Sequence, residues 1–437
     1  MNSAASWMLA QEAKALLGRL ARIKPFALYE PMVPAAAISL PAQAAIESYL
    51  ANGRRELREQ VHTFLDWLHG SGGWRATPAE AQRRFTLLRL RFNAVLSQFD
   101  IFADVLTQRS EHETGIWLSG LDVVAADALA LPDYYQAPPV ICYLDRGAGA
   151  AIRRARTRLP GGGDNPVAII RVPRERMVGI GVASSLVHEV GHQAVALLDL
   201  VKPLRLVLQG LEKGGHQKSG VWYFWERWIS EVLADFWSIA RVGVASTLGL
   251  IGVVSLPQAF VHRVGLDDPH PIPWLRVKLS CALGKALYPH PQWEELSKLW
   301  ESFYPLVGLE EEKRWLLTLL DRSIPDFLEV LLNYRPQALG GAALPEIMEI
   351  GERQPRHLTK YYQAWRKSPA QMGKAPPSLV FAAVGQAKIE GKLGPEEESQ
   401  ILAKLLTQWA LRSTLDSAAS CAAALPRTRA VAPATYN

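Results

Sequence analysis

Residues 183–200 read ASSLVHEVGHQAVALLDL, and His188, Glu189 and His192 stand out there against a largely apolar background. The near-continuous apolar run, free of proline, predicts a buried helix. On a helix, residues four apart project from one face, a turn apart, so both imidazoles can reach one ion. Glu189, beside the first histidine, then lies near a water on that ion. Fixed nitrogen ligands, an open coordination position and a base for the water are what a zinc hydrolase needs. The alternative is a buried helix whose polar residues fall at this spacing by coincidence. Burial argues against it, because two imidazoles and a carboxylate are costly in an apolar setting unless they have partners.

Downstream, VWYFWERWISEVLADFWSIARVG (residues 221–243) reads as a second apolar, aromatic helix. Glu231 and Asp235 stand four apart on one face of it, among Trp228, Leu233, Phe236 and Trp237. A buried acidic pair demands a counter-charge, which a divalent metal would supply. An ion pair with an arginine, such as Arg227 or Arg241, is the competing explanation. Further on, LDDPHPIPWLRVKLS carries His270 between Pro269 and Pro271, with Pro273 beyond, so the backbone there is expected to be extended and fixed. A histidine so held can donate to an oxyanion, or can serve only its own loop. Tyr288 and His290 are weaker candidates for that role. His62, His69 and His112 are isolated, and His216 lies in a glycine- and lysine-rich loop.

The surrounding chain sorts into regions. Residues 1–135 read as helical, with apolar residues at three- and four-residue intervals. PPVICYLD and PVAIIRVP are short apolar runs bounded by proline and are expected strands. Between them, RGAGAAIRRARTRLPGGGDN is expected as a basic helix ended by a glycine turn, its arginines a solvated face. Its GAG follows a strand, but position 152 is Ile152, so the dinucleotide-binding fingerprint fails. Residues 136–295 form the expected catalytic domain, residues 296–415 a helical C-terminal region and residues 416–437 a flexible tail. Residues 242–261 are uncharged and raise the question of a membrane span. Their polar residues and glycines favour core beneath the site instead.

Half of the 437 residues are apolar and about a fifth charged, which suits a globular protein with a sizeable core. The net charge of +6 is modest for this length, and no lysine-rich or aromatic-interleaved stripe marks a nucleic-acid surface. The three cysteines are widely separated and odd in number, so a disulfide framework is not expected and a reducing cytoplasm is the natural compartment. The first residues, MNSAASWMLAQEAKALLGRLARIK, lack the apolar core of a secretory signal and read as an amphipathic helix.

HEVGH followed by Glu231-Val232-Leu233-Ala234-Asp235 resembles the gluzincin clan of zinc metallopeptidases, which pair HExxH with a downstream glutamate ligand in an ExxxD or ExxAD setting. The resemblance spans residues 138–290. It implies an α+β, predominantly α-helical fold: a zincin-like catalytic core with a small sheet, flanked by helical regions, residues 166–185 supplying an edge strand and then the active-site helix. It implies His188, His192 and Glu231 as zinc ligands, Glu189 as general base and Asp235 as the acceptor that orients a ligand histidine. The usual oxyanion donor of the clan does not align here, so His270 is the expectation for that role. Metzincins carry Gly and His where this chain has Val195 and Leu198, and are excluded. The expected activity is hydrolysis of a protein or peptide substrate with Zn2+ as cofactor. Two other readings stay open: a zinc hydrolase of a non-peptide amide or ester, and a non-catalytic, metal-stabilised interaction protein. Glu189 speaks against the last, since a purely structural site needs no base.

Overall fold

The computed structural model describes residues 3–23, 26–27, 30–146, 149–160, 162–174, 178–214, 219–265 and 267–424. It is predominantly helical with a small three-stranded mixed sheet, the α+β class expected from the sequence.

Helices α1 (Ser3–Arg22), α2 (Leu40–His69), α3 (Ser71–Arg75) and α4 (Pro78–Thr107) build an N-terminal bundle. Its faces follow helical spacing: α1 buries Leu9, Ala13, Leu16 and Leu20, and α4 buries Phe85, Phe92, Phe99 and Phe102. A capping box starts α4, with Thr77 N donating to Glu80 Oε2 at 2.7 Å and Glu80 N to Thr77 Oγ1 at 3.3 Å.

Helix α5 (His112–Leu129) leads into β1 (Val140–Asp145), β2 (Ala151–Arg153) and β3 (Ala168–Pro173). The strand order is β1-β3-β2. β1 runs parallel to β3 with Val140 opposite Ala168, and β2 antiparallel with Ile152 opposite Ile170. Successive residues of a strand face opposite sides. Cys142, Leu144, Ile170 and Val172 therefore enter the main core, while Ile141 and Ile169 enter the core of the N-terminal bundle. The sheet is a wall between two apolar interiors.

Two expectations are corrected here. Residues 146–165 were expected as a basic helix; their described part forms β2 and a hairpin back to β3 instead, Gly147, Ala148 and Gly161 lying outside the described residues. Alanine and arginine favour helix, but backbone pairing with β3 overrides that weak preference. Asn165 Nδ2 reinforces the hairpin by donating to Arg153 O at 3.2 Å and Arg154 O at 3.0 Å. Second, the strand before the active-site helix, β3, is central, and the edge is β2. The other edge, β1, is sealed by side chains. Gln108 bonds both backbone groups of Leu144, at 2.8 and 2.9 Å, while Asp122 and Arg109 occupy those of Cys142.

HEVGH lies on α6 (Ile180–Leu197), followed by α7 (Val201–Lys213), α8 (Ser219–Val242), α9 (Val244–Val254) and α10 (Gln258–Val261). Helix α9 comes from the uncharged stretch and packs on α6, so residues 242–247 are core as expected, whereas residues 255–260 of the stretch are exposed. No helix among the described residues is long and apolar enough to cross a membrane. Ser184 Oγ donates to Ser246 O at 2.9 Å and Ser246 Oγ to Ser238 Oγ at 2.8 Å, tying α6, α9 and α8 together.

The chain closes with α11 (Pro273–Leu287), α12 (Gln292–Phe303), α13 (Glu311–Asn333), α14 (Leu344–Ile347), α15 (Pro355–Lys367), α16 (Pro369–Met372), α17 (Pro377–Ile389) and α18 (Pro395–Ala424). One apolar core runs from Leu118 on α5 to Trp409 on α18, so the C-terminal helices share the interior that carries HEVGH. Glu398 of α18 even caps α6: its Oε1 accepts from Ile180 N at 2.9 Å, next to Gly179, whose φ of 141° suits glycine. Helix α18 continues through Ala424, past the expected start of the tail at residue 416, and residues 425–437 lie outside the described residues.

Candidate metal centre

The site begins with a close helix crossing. A Cβ at Gly191 would lie 2.9 Å from both Cα and O of Ala234, so the glycine inside HEVGH lets the α8 backbone approach α6. That approach brings Glu231 to the histidine pair. Glu231 Oε2 is 3.3 Å from His188 Nε2, and Oε1 is 3.4 Å from His192 Nε2. The ligand atoms of His188, His192 and Glu231 all lie within 4.8 Å of one another, a group that could hold a metal ion.

The carboxylate is left under-satisfied. Glu231 Oε2 is buried with no hydrogen-bond partner, although the Nε2 atoms of His188 and His270 lie 3.3 and 3.4 Å away. An orphaned buried acceptor is expensive, and a cation among these three side chains would meet it. Two imidazoles and one carboxylate suit a first-row divalent ion.

Behind this group the network is closed. His188 Nδ1 is 2.8 Å from Asp235 Oδ1, which turns Nε2 toward Glu231. Asp235 is clamped by Arg276 of α11, Nε to Oδ2 at 2.7 Å and Nη2 to Oδ1 at 2.8 Å. The same guanidinium lies 3.7 Å from Glu231 Oε2. The competing expectation, an ion pair with an arginine, is therefore met at Asp235, but by Arg276 and not by either arginine named for it. The unmet charge of the acidic pair was a signal that a cation was needed, but a partner 41 residues away is not given by helical spacing. Arg227 and Arg241, the arginines weighed instead, are engaged elsewhere: Arg227 sits 3.9 Å from Asp267, and Arg241 donates to Ala130 O.

These contacts set the ionisation of the metal-free site. Burial opposes a charge on His188, yet the Asp235 charge and hydrogen bond, helped by Glu231, hold its imidazole up to about 9. Burial also opposes an ionised Glu231, but both histidines outweigh it and keep the carboxyl well below its ordinary range. Asp235 is held at about 2, Arg276 and His188 overcoming burial in the same way.

Glu189 is buried and lines a cavity of about 160 Å³ with Ala150, Ser185, His188, Leu250 and His270. His270 is fixed from behind by Asp268, whose Oδ1 lies 3.0 Å from its backbone N and 2.8 Å from its Nδ1. Its half-exposed ring points Nε2 to 3.4 Å from Glu231 Oε2, so the proline-rich loop does deliver this histidine to the group.

No protein-family model, curated protein or solved structure matches the chain.

Every expected site residue, His188, Glu189, His192, Glu231, Asp235 and His270, lies in this one neighbourhood. The weaker candidates do not join it. Tyr288 Oη donates to Ala240 O at 2.7 Å in the core, and His290 Nδ1 accepts from Gln292 N at 3.3 Å at the start of α12. His216 lies outside the described residues. A larger cavity of about 300 Å³, lined by Tyr49, Glu56 and Arg91, contains none of the metal-group residues.

Proposed function

We propose that the protein is a zinc-dependent metallopeptidase that hydrolyses peptide bonds in a selective protein or peptide substrate. The observation that carries this is the convergence of His188 Nε2, His192 Nε2 and the buried Glu231 carboxylate, one oxygen of which has no hydrogen bond, with Glu189 next to the first histidine. The resemblance to gluzincins supports the same roles. His188, His192 and Glu231 would hold the ion, which when bound supplies Lewis-acid activation of a water and a carbonyl at neutral pH.

Glu189 takes a proton from the attacking water and passes it to the departing amine. Asp235 keeps His188 in the tautomer that presents Nε2, and Arg276 fixes Asp235. As an imidazolium, with its Nδ1–H donating to Asp268, His270 would donate through Nε2–H to the oxyanion that develops on the carbonyl oxygen.

The sheet supports a peptide as substrate. With β1 sealed, β2 is the other edge of the sheet, and Gly149 and Ala150 just before it line the cavity. An extended peptide can add to such an edge through main-chain hydrogen bonds. The cavity size favours a second reading. At about 160 Å³ it is smaller than pockets for drug-sized ligands, ~300–1,000 Å³, as a small amide or ester would require. We place either activity in the reducing cytoplasm, since Cys142 and Cys281 are buried free thiols and Cys421 is free and exposed.

A screen of zinc-loaded protein against a peptide library and a panel of small amides and esters tests the proposal, with Glu189→Gln as control. The expected outcome is peptide cleavage by the wild type that falls about 10²–10⁴-fold in the variant. Turnover of the small amides or esters alone would favour the second reading, and turnover of nothing would contradict both.

A further inference from the structure

Gln193 follows His192 directly, is 1 % exposed, and belongs to no ligand set. Residues four apart share a helix face, so Gln193 stands one turn beyond Glu189 on the same side of α6. That side meets the edge strand at both ends. Glu189 shares its cavity with Ala150, immediately before β2, and Gln193 Oε1 accepts from the backbone N of Ala155, just after β2, at 2.8 Å.

The edge strand needs such a tie. β2 has three residues and, among the described residues, pairs with β3 alone, and so short a strand has little stability of its own. The turn that follows holds Arg156 at a φ of 61°, a left-handed conformation that non-glycine residues keep only with outside support. Asn165 bonds the hairpin internally, through Arg153 O and Arg154 O, but only Gln193 among these contacts joins it to the helix that carries Glu189.

We infer that Gln193 is a positioning residue: by holding Ala155 it sets the distance from Glu189 to the outer edge of β2, along which a peptide substrate is laid. The inference rests on the peptidase reading above. Its physical basis is geometric, since displacing a reacting bond by about 1 Å costs on the order of 10²-fold in rate. Gln193 acts on where the substrate lies and leaves the ion and its ligands alone.

The test measures amide hydrogen exchange over residues 151–155 in the wild type and in Gln193→Leu, Gln193→Asn and Gln193→Glu. Zinc affinity and steady-state kinetics on the best-cleaved library peptide are measured beside it. In the Leu and Asn variants the Ala155 amide should exchange about tenfold faster. kcat should fall by at least the same factor, with zinc affinity at its wild-type value. Glu, which keeps an acceptor oxygen at the same reach, should restore both. Wild-type exchange at Ala155 in the Leu and Asn variants overturns the inference. So does a loss of zinc affinity that accompanies the fall in kcat, because Gln193 would then act through the ligands. If the wild type cleaves no peptide, the peptidase reading fails by itself, and the exchange data alone decide whether Gln193 holds the edge.

Discussion

The molecule buries two charge clusters and finishes them differently. Where the N-terminal bundle meets the sheet, Asp122 is fully engaged. Its Oδ2 accepts from Arg109 Nη1 at 2.9 Å, and its Oδ1 from Arg109 Nη2 at 3.2 Å and Cys142 N at 2.7 Å. Arg109 Nε is the one polar atom of that pair without a partner. Between α6, α8 and α11, the outer layer is as well closed, Arg276 clamping Asp235 and Asp235 bonding His188. The inner carboxylate is not, because Glu231 Oε2 has no hydrogen bond. Burying a charge is costly unless it is paired, and the Arg109–Asp122 pair meets that cost within the fold. An oxygen left open in the middle of an otherwise paired network, with two imidazole nitrogens turned toward it, is what a cation site needs.

The contrast can be broken at several points. The largest effect is expected at the closed cluster. Arg109→Met leaves Asp122 buried without its partner and should destabilise the fold by about 3–5 kcal/mol, read from urea unfolding, with zinc affinity unchanged. A parallel loss of zinc affinity would show that the two clusters are not independent. At the other cluster, Asp235→Asn should lower zinc affinity by about 10–100-fold in a chelator competition, because His188 loses the acceptor that sets its tautomer.

The pH dependence sharpens the same distinction. The His188 pKa is raised in the metal-free fold, from 6.5 to about 9. A raised histidine pKa stabilises fully below its unfolded value, and that contribution is lost as pH climbs through the folded one. The melting temperature of chelator-treated protein should therefore fall between pH 6.5 and 9, while zinc affinity rises over the same window as the competing proton leaves. A melting temperature of the metal-free protein that holds or rises there would refute the assigned network. The smallest effect is expected far from either cluster. Glu398→Ala removes the cap of α6 and should cost about 1 kcal/mol, with faster amide exchange in the first turn of that helix.

What could be read from sequence followed local spacing. Histidines 188 and 192 and the acidic pair 231 and 235 are four apart on strongly apolar helices, so their shared faces needed no tertiary information. The two proline-bounded strands were legible for the same reason. Residues 146–165 were not, because their helix-favouring composition is overruled by a pairing with β3 that only the folded chain supplies. Arg276 and Glu398 were invisible in another way. Each meets its partner across a long loop of chain, 41 residues from Asp235 and 218 from Ile180, and no periodicity links them. His270 lay between these cases. Its prolines announced a fixed loop, but only the fold places that loop beside Glu231.

The most direct measurement is the zinc content of the purified protein, wild type beside Glu231→Ala, by elemental analysis after loading and exhaustive dialysis. About one zinc per chain in the wild type and little in the variant is the expected result, because Glu231 supplies the third ligand and the open oxygen. A wild type that retains no zinc, or a variant that retains as much as the wild type, would contradict the assignment of His188, His192 and Glu231 as a metal centre.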